Sequence, residues 1–112
     1  MPHIEVRLED LPEGRPVRLE AAGQGVVVVR KGASVLAYED VCPHAGWRLS
    51  DGEVNGDHIE CPGHGWRFAA ATGRCVEVPF YCLKPVVVRT VDGAVRLSWD
   101  WGGEKADGPA VV

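Results

Sequence analysis

The sequence predicts an all-β protein. Short runs of β-branched residues alternate with turn signals over residues 1–100, and no window sustains the 3.6-residue apolar period of an amphipathic helix. The chain has 112 residues, of which 46% are hydrophobic. A typical domain holds roughly 100 to 150 residues, so we expect one domain over residues 1–101.

The first predicted strands lie in the N-terminal third of the chain. Residues 17–20 (VRLE) alternate apolar and polar side chains, as expected for a strand with one buried face. Residues 26–29 (VVVV) form a continuous apolar run, which is typical of a strand covered on both faces. Residues 30–35 (RKGASV) then predict a turn into the next strand.

Two later segments carry hairpin signals. In residues 86–99 (VVVRTVDGAVRLSW), Asp92 and Gly93 have the preference for positive φ that a two-residue turn requires. Asn55 and Gly56 are a similar signal and predict a smaller hairpin. We expect this smaller hairpin to hold the segments on either side of it in register.

Charge and composition restrict the partners. The net charge of -4 and the pI near 5.5 argue against general binding to nucleic acids or anionic membranes, which depends on clustered Lys and Arg. No apolar run approaches the roughly 20 residues of a membrane span, and the N-terminus lacks the pattern of a signal peptide. We therefore expect a cytoplasmic protein whose partners are proteins or small solutes. Residues 102–112, which are rich in glycine with little to bury, predict a flexible tail.

The most informative feature is a pair of similar loops, CPHAGW at residues 42–47 and CPGHGW at residues 61–66. They supply Cys42, His44, Cys61 and His64, which are candidate metal ligands. Two thiolates and two imidazoles can hold either a tetrahedral zinc ion or an iron–sulfur cluster. Structural zinc sites usually place two to four residues between paired ligands, so the one-residue gap in Cys-Pro-His favours a cluster with two irons.

These spacings, Cys-x-His followed by Cys-x-x-His, resemble the signature of the Rieske iron–sulfur proteins, and the resemblance extends over roughly residues 4–98. It implies an antiparallel β-sandwich or barrel with a small cluster-binding subdomain at about residues 41–68. It also implies one [2Fe–2S] cluster, with Cys42 and Cys61 on one iron. His44 and His64 would bind the other iron through Nδ1.

Other residues of the two loops are expected to shape the cluster environment. Pro43 and Pro62 stiffen each loop after its cysteine. Gly46, Gly63 and Gly65 remove Cβ atoms where backbone N–H groups must approach the bridging sulfides.

The positions that differ between branches of the family point to the ferredoxins. Respiratory and photosynthetic relatives carry a disulfide whose equivalent positions here are Trp47 and Gly63. They also carry two hydroxyl donors, and the corresponding positions here are Trp66 and Phe68. Fewer hydrogen bonds to the cluster imply a reduction potential near the low end of the Rieske range, about -150 mV. Each Trp either shields the cluster and its docking surface or simply packs loop against sheet, and both readings remain open.

The resemblance implies an electron carrier rather than an enzyme that turns over substrate alone. Its partners would be a flavin-dependent reductase and the terminal oxygenase of a ring-hydroxylating system. One alternative is a small Rieske subunit of a larger oxidoreductase such as assimilatory nitrite reductase, and a less favoured one is a zinc-stabilised interaction module. Cys75 and Cys82 are interpreted as packing or surface thiols, with a redox-active pair as the alternative.

Overall fold

The structure is a computed structural model that describes residues 2–43, 46–63 and 65–101. The described part consists of antiparallel strands with two short 3₁₀ helices, which confirms the predicted all-β class. The strands are β1 (His3–Arg7), β2 (Val17–Ala21), β3 (Gln24–Lys31), β4 (Ser34–Glu39), β5 (Glu53–Asn55), β6 (His58–Glu60), β7 (Arg67–Ala69), β8 (Val87–Val91) and β9 (Ala94–Ser98). The 3₁₀ helices are Leu8–Asp10 and Leu49–Asp51.

Three small sheets account for these strands. Their strand orders are β1-β9-β8, β2-β3-β4 and β5-β6-β7, and neighbouring strands pair antiparallel throughout. The β5-β6-β7 sheet lies in sequence between and just after the two Cys/His loops, as the predicted cluster-binding subdomain requires.

The middle strand β3 contributes to both halves of the core. Val27 and Val29 belong to the hydrophobic cluster that contains the two loop cysteines, whereas Val26 and Val28 belong to the cluster around Trp99. Since successive side chains of a strand point to opposite faces, the β2-β3-β4 sheet separates the two clusters. The prediction of a strand covered on both faces is confirmed.

Two hairpin turns have positive φ at both central residues. One of them was predicted from the sequence and the other was not. Asp92 and Gly93 both have positive φ (52° and 80°), and they join β8 to β9 as predicted. Ala22 and Gly23 connect β2 to β3 with the same pattern (56° and 76°). The sequence does not signal this second turn, because alanine rarely adopts the left-handed region.

The smaller hairpin exists, but its turn is one residue later than predicted. Asn55 pairs with His58, so the central residues are Gly56 and Asp57, with Gly56 at a φ of 59°. Asn55 stays in β5, where its Nδ2 donates to Glu60 Oε1 at 2.8 Å. Glycine at the first central position suits a type II′ turn, which explains the shift.

Two expectations concern the ends and membrane association of the chain. The predicted tail at 102–112 lies outside the described residues. Within the part that is described, no helix is long and apolar enough to cross a bilayer.

Candidate metal centre

The two Cys/His loops share one backbone pattern. The N–H of Cys42 donates to the carbonyl oxygen of Trp47 at 2.7 Å, and the N–H of Cys61 donates to that of Trp66 at the same distance. In the first loop, Gly46 N–H also donates to the carbonyl oxygen of Cys42 at 2.7 Å. Each loop is therefore closed on itself, with its cysteine at the base.

Both cysteines are buried at the edge of the hydrophobic core. Cys42 and Cys61 are each 1% exposed, and both belong to the cluster that includes Leu49 and Phe68. Gly63 N–H donates to Cys61 Sγ at 3.4 Å. A hydrogen bond to sulfur stabilises the charge on a thiolate ligand, so the second loop fits an iron–sulfur cluster.

The imidazole ligands cannot be placed in the same way. His44 and His64 lie outside the described residues. Among the residues that are described, no three His, Cys, Asp or Glu side chains come together as a metal-binding group. The structure thus places the two predicted sulfur ligands, and the full four-residue ligand set stays a prediction.

The three predicted loop glycines are needed for two different reasons. Gly46 and Gly65 have φ values of 78° and 73°, and no described atom lies within 4 Å of a Cβ built on either. At both positions the left-handed backbone conformation by itself favours glycine. A Cβ on Gly63 would instead lie 2.5 Å from Cδ1 and Nε1 of Trp47. Because Gly63 has no Cβ, the indole of Trp47 from the first loop can pack against it.

The remaining predicted environment residues divide between core and surface. Phe68 is fully buried in β7 within the same cluster as the cysteines. Trp66 is half-buried, and its ring centroid lies 5.4 Å from that of Tyr81. Pro43 and Pro62 are exposed. For Trp66 the packing interpretation is supported, since it joins the second loop to the segment that carries Tyr81.

A buried carboxylate that the sequence analysis did not identify, Asp40, joins the residues before the first loop to those after it. Asp40 accepts hydrogen bonds from Ser50 N (2.8 Å), Ser50 Oγ (2.6 Å) and Arg18 Nη1 (2.9 Å). Hydrogen bonding to Asp40 is the main cause of a raised pKa for Arg18. We call Arg18, Asp40 and Ser50 the carboxylate clamp. No pattern in the sequence links Arg18 to a residue 22 positions later.

A second missed residue is Gly52, which follows the 3₁₀ helix after the first loop. A Cβ at this position would overlap the carbonyl oxygen of Glu60 and lie 3.1 Å from Cδ of Pro62. The glycine therefore allows the two loops' flanking segments to approach closely. A DG dipeptide at 51–52 was visible in the sequence, but it signals a turn rather than a close approach.

An ion pair fixes the segment after β7. Glu77 accepts hydrogen bonds from the backbone N of Arg67 at 2.9 Å and from its Nε at 2.7 Å. These bonds, the backbone one first, lower the pKa of Glu77 from 4.5 to about 2. The pair stabilises the fold fully above pH 4.5, and this contribution is lost as the pH falls toward 2.

The Glu77→Gln variant should therefore differ most from the parent protein at neutral pH. The pair is partly exposed to solvent, so we expect only a small lowering of the unfolding midpoint, which disappears between pH 4.5 and 2. Thermal unfolding midpoints measured across this range, with the exposed Glu5→Gln as control, test the expectation. A difference that stays constant with pH would show that Glu77 acts through packing instead.

The two remaining cysteines occupy different environments. Cys75 is buried, and its Sγ accepts a hydrogen bond from Val78 N–H at 3.4 Å. Cys82 is exposed. All four cysteines lie in the described part of the chain, and none of them forms a disulfide there. Cys75 thus behaves as a small core residue, consistent with the packing interpretation.

The paired cysteine loops on an all-β scaffold are those of an iron–sulfur protein. A model of the Rieske [2Fe-2S] domain matches residues 2–92. The chain belongs to the Rieske [2Fe-2S] domain family. Its cofactor is accordingly one Rieske-type [2Fe–2S] cluster. Of the two alternatives that the four candidate ligands left open, a zinc ion and an iron–sulfur cluster, the second is therefore correct.

Curated relatives include both large and small proteins. The chain is 38% identical over 84 residues to the oxygenase component of 3-ketosteroid-9-alpha-monooxygenase from Rhodococcus rhodochrous, covering 74% of this chain and 21% of that protein. It thus spans about a fifth of that relative's length. It is 35% identical over 72 residues to the ferredoxin component of the naphthalene 1,2-dioxygenase/salicylate 5-hydroxylase systems of a Ralstonia species, covering 64% and 69%.

Solved structures that resemble this chain also include ferredoxins of oxygenase systems. The ferredoxin of carbazole 1,9a-dioxygenase from Nocardioides aromaticivorans IC177 superimposes with a TM-score of 0.79 at 30% identity, covering 88% of this chain and 97% of that one. A chain from a complex of oxygenase and ferredoxin in carbazole 1,9a-dioxygenase gives 0.78 at 32% identity, covering 86% and 92%. A structure assigned as an NADH-dependent nitrite reductase small subunit from Mycobacterium tuberculosis gives 0.79, covering 91% and 99%, but its 21% identity shows the fold alone.

Proposed function

We propose that this protein is a one-electron carrier of the Rieske ferredoxin type, which passes electrons from a flavin-dependent reductase to a terminal oxygenase. The observation that carries the proposal is the pair of closed, equivalent loops that present Cys42 and Cys61 from a compact domain. The similarity to ferredoxin components over nearly their whole length supports it.

The cluster would be held by Cys42 and Cys61 on one iron and by His44 and His64 on the other. When bound, such a cluster supplies reversible one-electron transfer. The protein's own contribution is to hold the ligands and to control their surroundings. Gly63 N–H donates to the sulfur of Cys61, and the core side chain Phe68 excludes water behind the cysteines.

The surface around the second loop has the character of a protein-docking site. Five large apolar side chains are exposed in the described part of the chain, and Trp47, Val76 and Phe80 are three of them. Each of them is connected to the second loop or to the strand that follows it. Trp47 lies against Gly63, Val76 N–H donates to Arg67 O at 2.8 Å, and Phe80 contacts Tyr81, which packs on Trp66. Exposed apolar side chains near a functional loop are candidates for a docking surface.

Phe80 offers the sharpest test of docking. It is 90% exposed, and the segment that carries it is fixed by the Arg67–Glu77 pair and by Arg74 Nη1, which donates to Pro79 O at 2.9 Å. We expect Phe80→Ser to raise the KM for this protein roughly tenfold in electron transfer to an oxygenase, as for loss of a preorganised aromatic anchor. The visible spectrum should not change.

Val91→Ser is the matched control for this variant. Val91 is 67% exposed but lies at the end of β8, in a different sheet from the loops. Its KM should equal that of the parent protein. Equal KM values for Phe80→Ser and Val91→Ser would contradict docking through Phe80.

The function itself is tested by reconstitution. The purified protein is combined with a flavin-dependent reductase, NADH and a terminal ring-hydroxylating oxygenase, and product formation is measured with and without it. We expect turnover to depend on this protein and to saturate with its concentration. Rapid reduction by the reductase without any transfer to the oxygenase would contradict the proposed acceptor. Tight co-purification with a large nitrite reductase subunit would favour a fixed subunit instead of a carrier that diffuses in the cytoplasm.

A further inference from the structure

We propose that Trp47 is a positioning residue for the iron–sulfur site, and that it acts through Gly63. Its indole, carried by the first loop, sits directly on the backbone of the second loop. This contact joins the two loops at Gly63, the residue whose N–H donates to Cys61 Sγ. The inference rests on the proposed role of Cys61 as a ligand.

The contact follows from the space at Gly63. A Cβ at this glycine would lie 2.5 Å from Cδ1 and Nε1 of Trp47 and 3.0 Å from its Cγ, distances that real Cβ atoms do not accept. Unlike Gly46 and Gly65, Gly63 does not have a positive φ. The sequence therefore needs glycine here because the indole occupies the place of a side chain.

The contact also explains why Trp47 is only 49% exposed despite its position in a surface loop. The second loop lies against the Cγ, Cδ1 and Nε1 atoms of the indole, and about half of the side chain is exposed to solvent. Gly63 N–H donates to Cys61 Sγ at 3.4 Å, so the indole contacts the residue that hydrogen-bonds to the sulfur. Solvent access and hydrogen bonds to sulfur are both determinants of cluster potential, so moving the indole should change a redox property as well as stability.

The contact differs in kind from the hydrogen bonds that close each loop. Each loop closes through its own cysteine and tryptophan backbone. Those bonds hold each loop in shape but do not join one loop to the other. The Trp47–Gly63 contact joins them directly, through residues five and two positions after the respective cysteines.

The test is a double-substitution cycle on the cluster-containing protein with Trp47→Ala, Gly63→Ala and the combined variant. The rate of cluster loss is followed as the decay of visible absorbance in the presence of an iron chelator. We expect each single change to speed the loss roughly tenfold, as for removal of one packed aromatic contact. The combined variant should be no faster than either single one, since both changes remove the same contact.

Controls separate this role from general loop damage. Gly65→Ala strains a positive-φ position with no described neighbour at its Cβ, so its effect should multiply with that of Trp47→Ala. Trp47→Phe keeps a ring over Gly63 and should recover most of the parent's cluster lifetime. The midpoint potential of Trp47→Ala should shift in the positive direction, because water then stabilises the added electron.

The outcomes are distinct. Multiplying effects of Trp47→Ala and Gly63→Ala, or an unchanged cluster lifetime and potential in Trp47→Ala, would overturn the proposal. Failure of the ligand assignment would appear differently, as a Cys61→Ala variant that keeps its cluster. If Gly63→Ala does not fold, the lifetime and potential of Trp47→Ala and Trp47→Phe still decide the question.

Discussion

Replacing Cys61 with alanine is expected to give a protein without visible colour and without bound iron. The substitution would remove one of the two proposed sulfur ligands, and metal binding in such sites is coupled to the folding of the loops that hold the metal. Iron and acid-labile sulfide should fall from two of each per chain to none, as expected for a [2Fe–2S] cluster. The measurement is iron and sulfide analysis together with the visible absorption spectrum.

Cys82→Ala is the matched control, because Cys82 is an exposed cysteine of the same chain. It should retain the full iron content and the parent spectrum. Iron retained in Cys61→Ala, or lost equally in Cys82→Ala, would contradict the ligand assignment. Partial unfolding of Cys61→Ala would not obscure the result, since the same preparation can be compared by circular dichroism with the parent protein stripped of its iron.

The second large effect is expected at the carboxylate clamp. Arg18→Met should lower the free energy of unfolding by about 3 kcal/mol, because the fully buried side chain of Asp40 would lose its cationic partner. The cluster should also be lost faster, since Asp40 lies two residues before Cys42 and is bonded to Ser50 beyond the first loop. Urea unfolding followed by tryptophan fluorescence measures the first effect, and visible absorbance measures the second.

Arg18 pairs with two carboxylates, the buried Asp40 and the exposed Glu20. The Glu20→Gln variant measures the contribution of the exposed pair alone. Arg18 Nε also donates to Glu20 at 2.8 Å, but Glu20 is largely exposed. Its substitution should change the free energy of unfolding by less than about 1 kcal/mol. If Arg18→Met were no more destabilising than Glu20→Gln, Ser50 alone would be sufficient to hold Asp40.

Much of the fold was accessible from local patterns. The four valines of β3 predicted a strand covered on both faces, and the Asp92–Gly93 turn was placed correctly because two positive φ values have strong residue preferences. The smaller hairpin was misplaced by one residue because both Asn55 and Gly56 can occupy a turn. Pairing with His58 decided between them.

The candidate site was predictable to the extent that its chemistry is local. The spacing of Cys42, His44, Cys61 and His64 specified the cofactor class, and the family match agrees with it. The local spacing did not explain Gly63. The space at Gly63 that the structure describes is limited by Trp47, which the spacing did not indicate. The expected approach of bridging sulfides to this glycine stays a prediction.

By itself, therefore, the sequence determined the all-β class, the strand at β3, the hairpin turn at Asp92–Gly93 and the two similar loops, since these depend on residues close together in the chain. The kind of cluster was indicated by the resemblance of the Cys/His spacing to a known family, and the family match agrees with it. Only the tertiary structure decided that Arg18 meets Asp40 and that Trp47 covers Gly63. The physical reason is that both contacts join residues 16 or more positions apart. Their formation depends on how the sheets and loops pack together. Hydrophobic periodicity and turn preferences are local patterns, so they do not predict that packing.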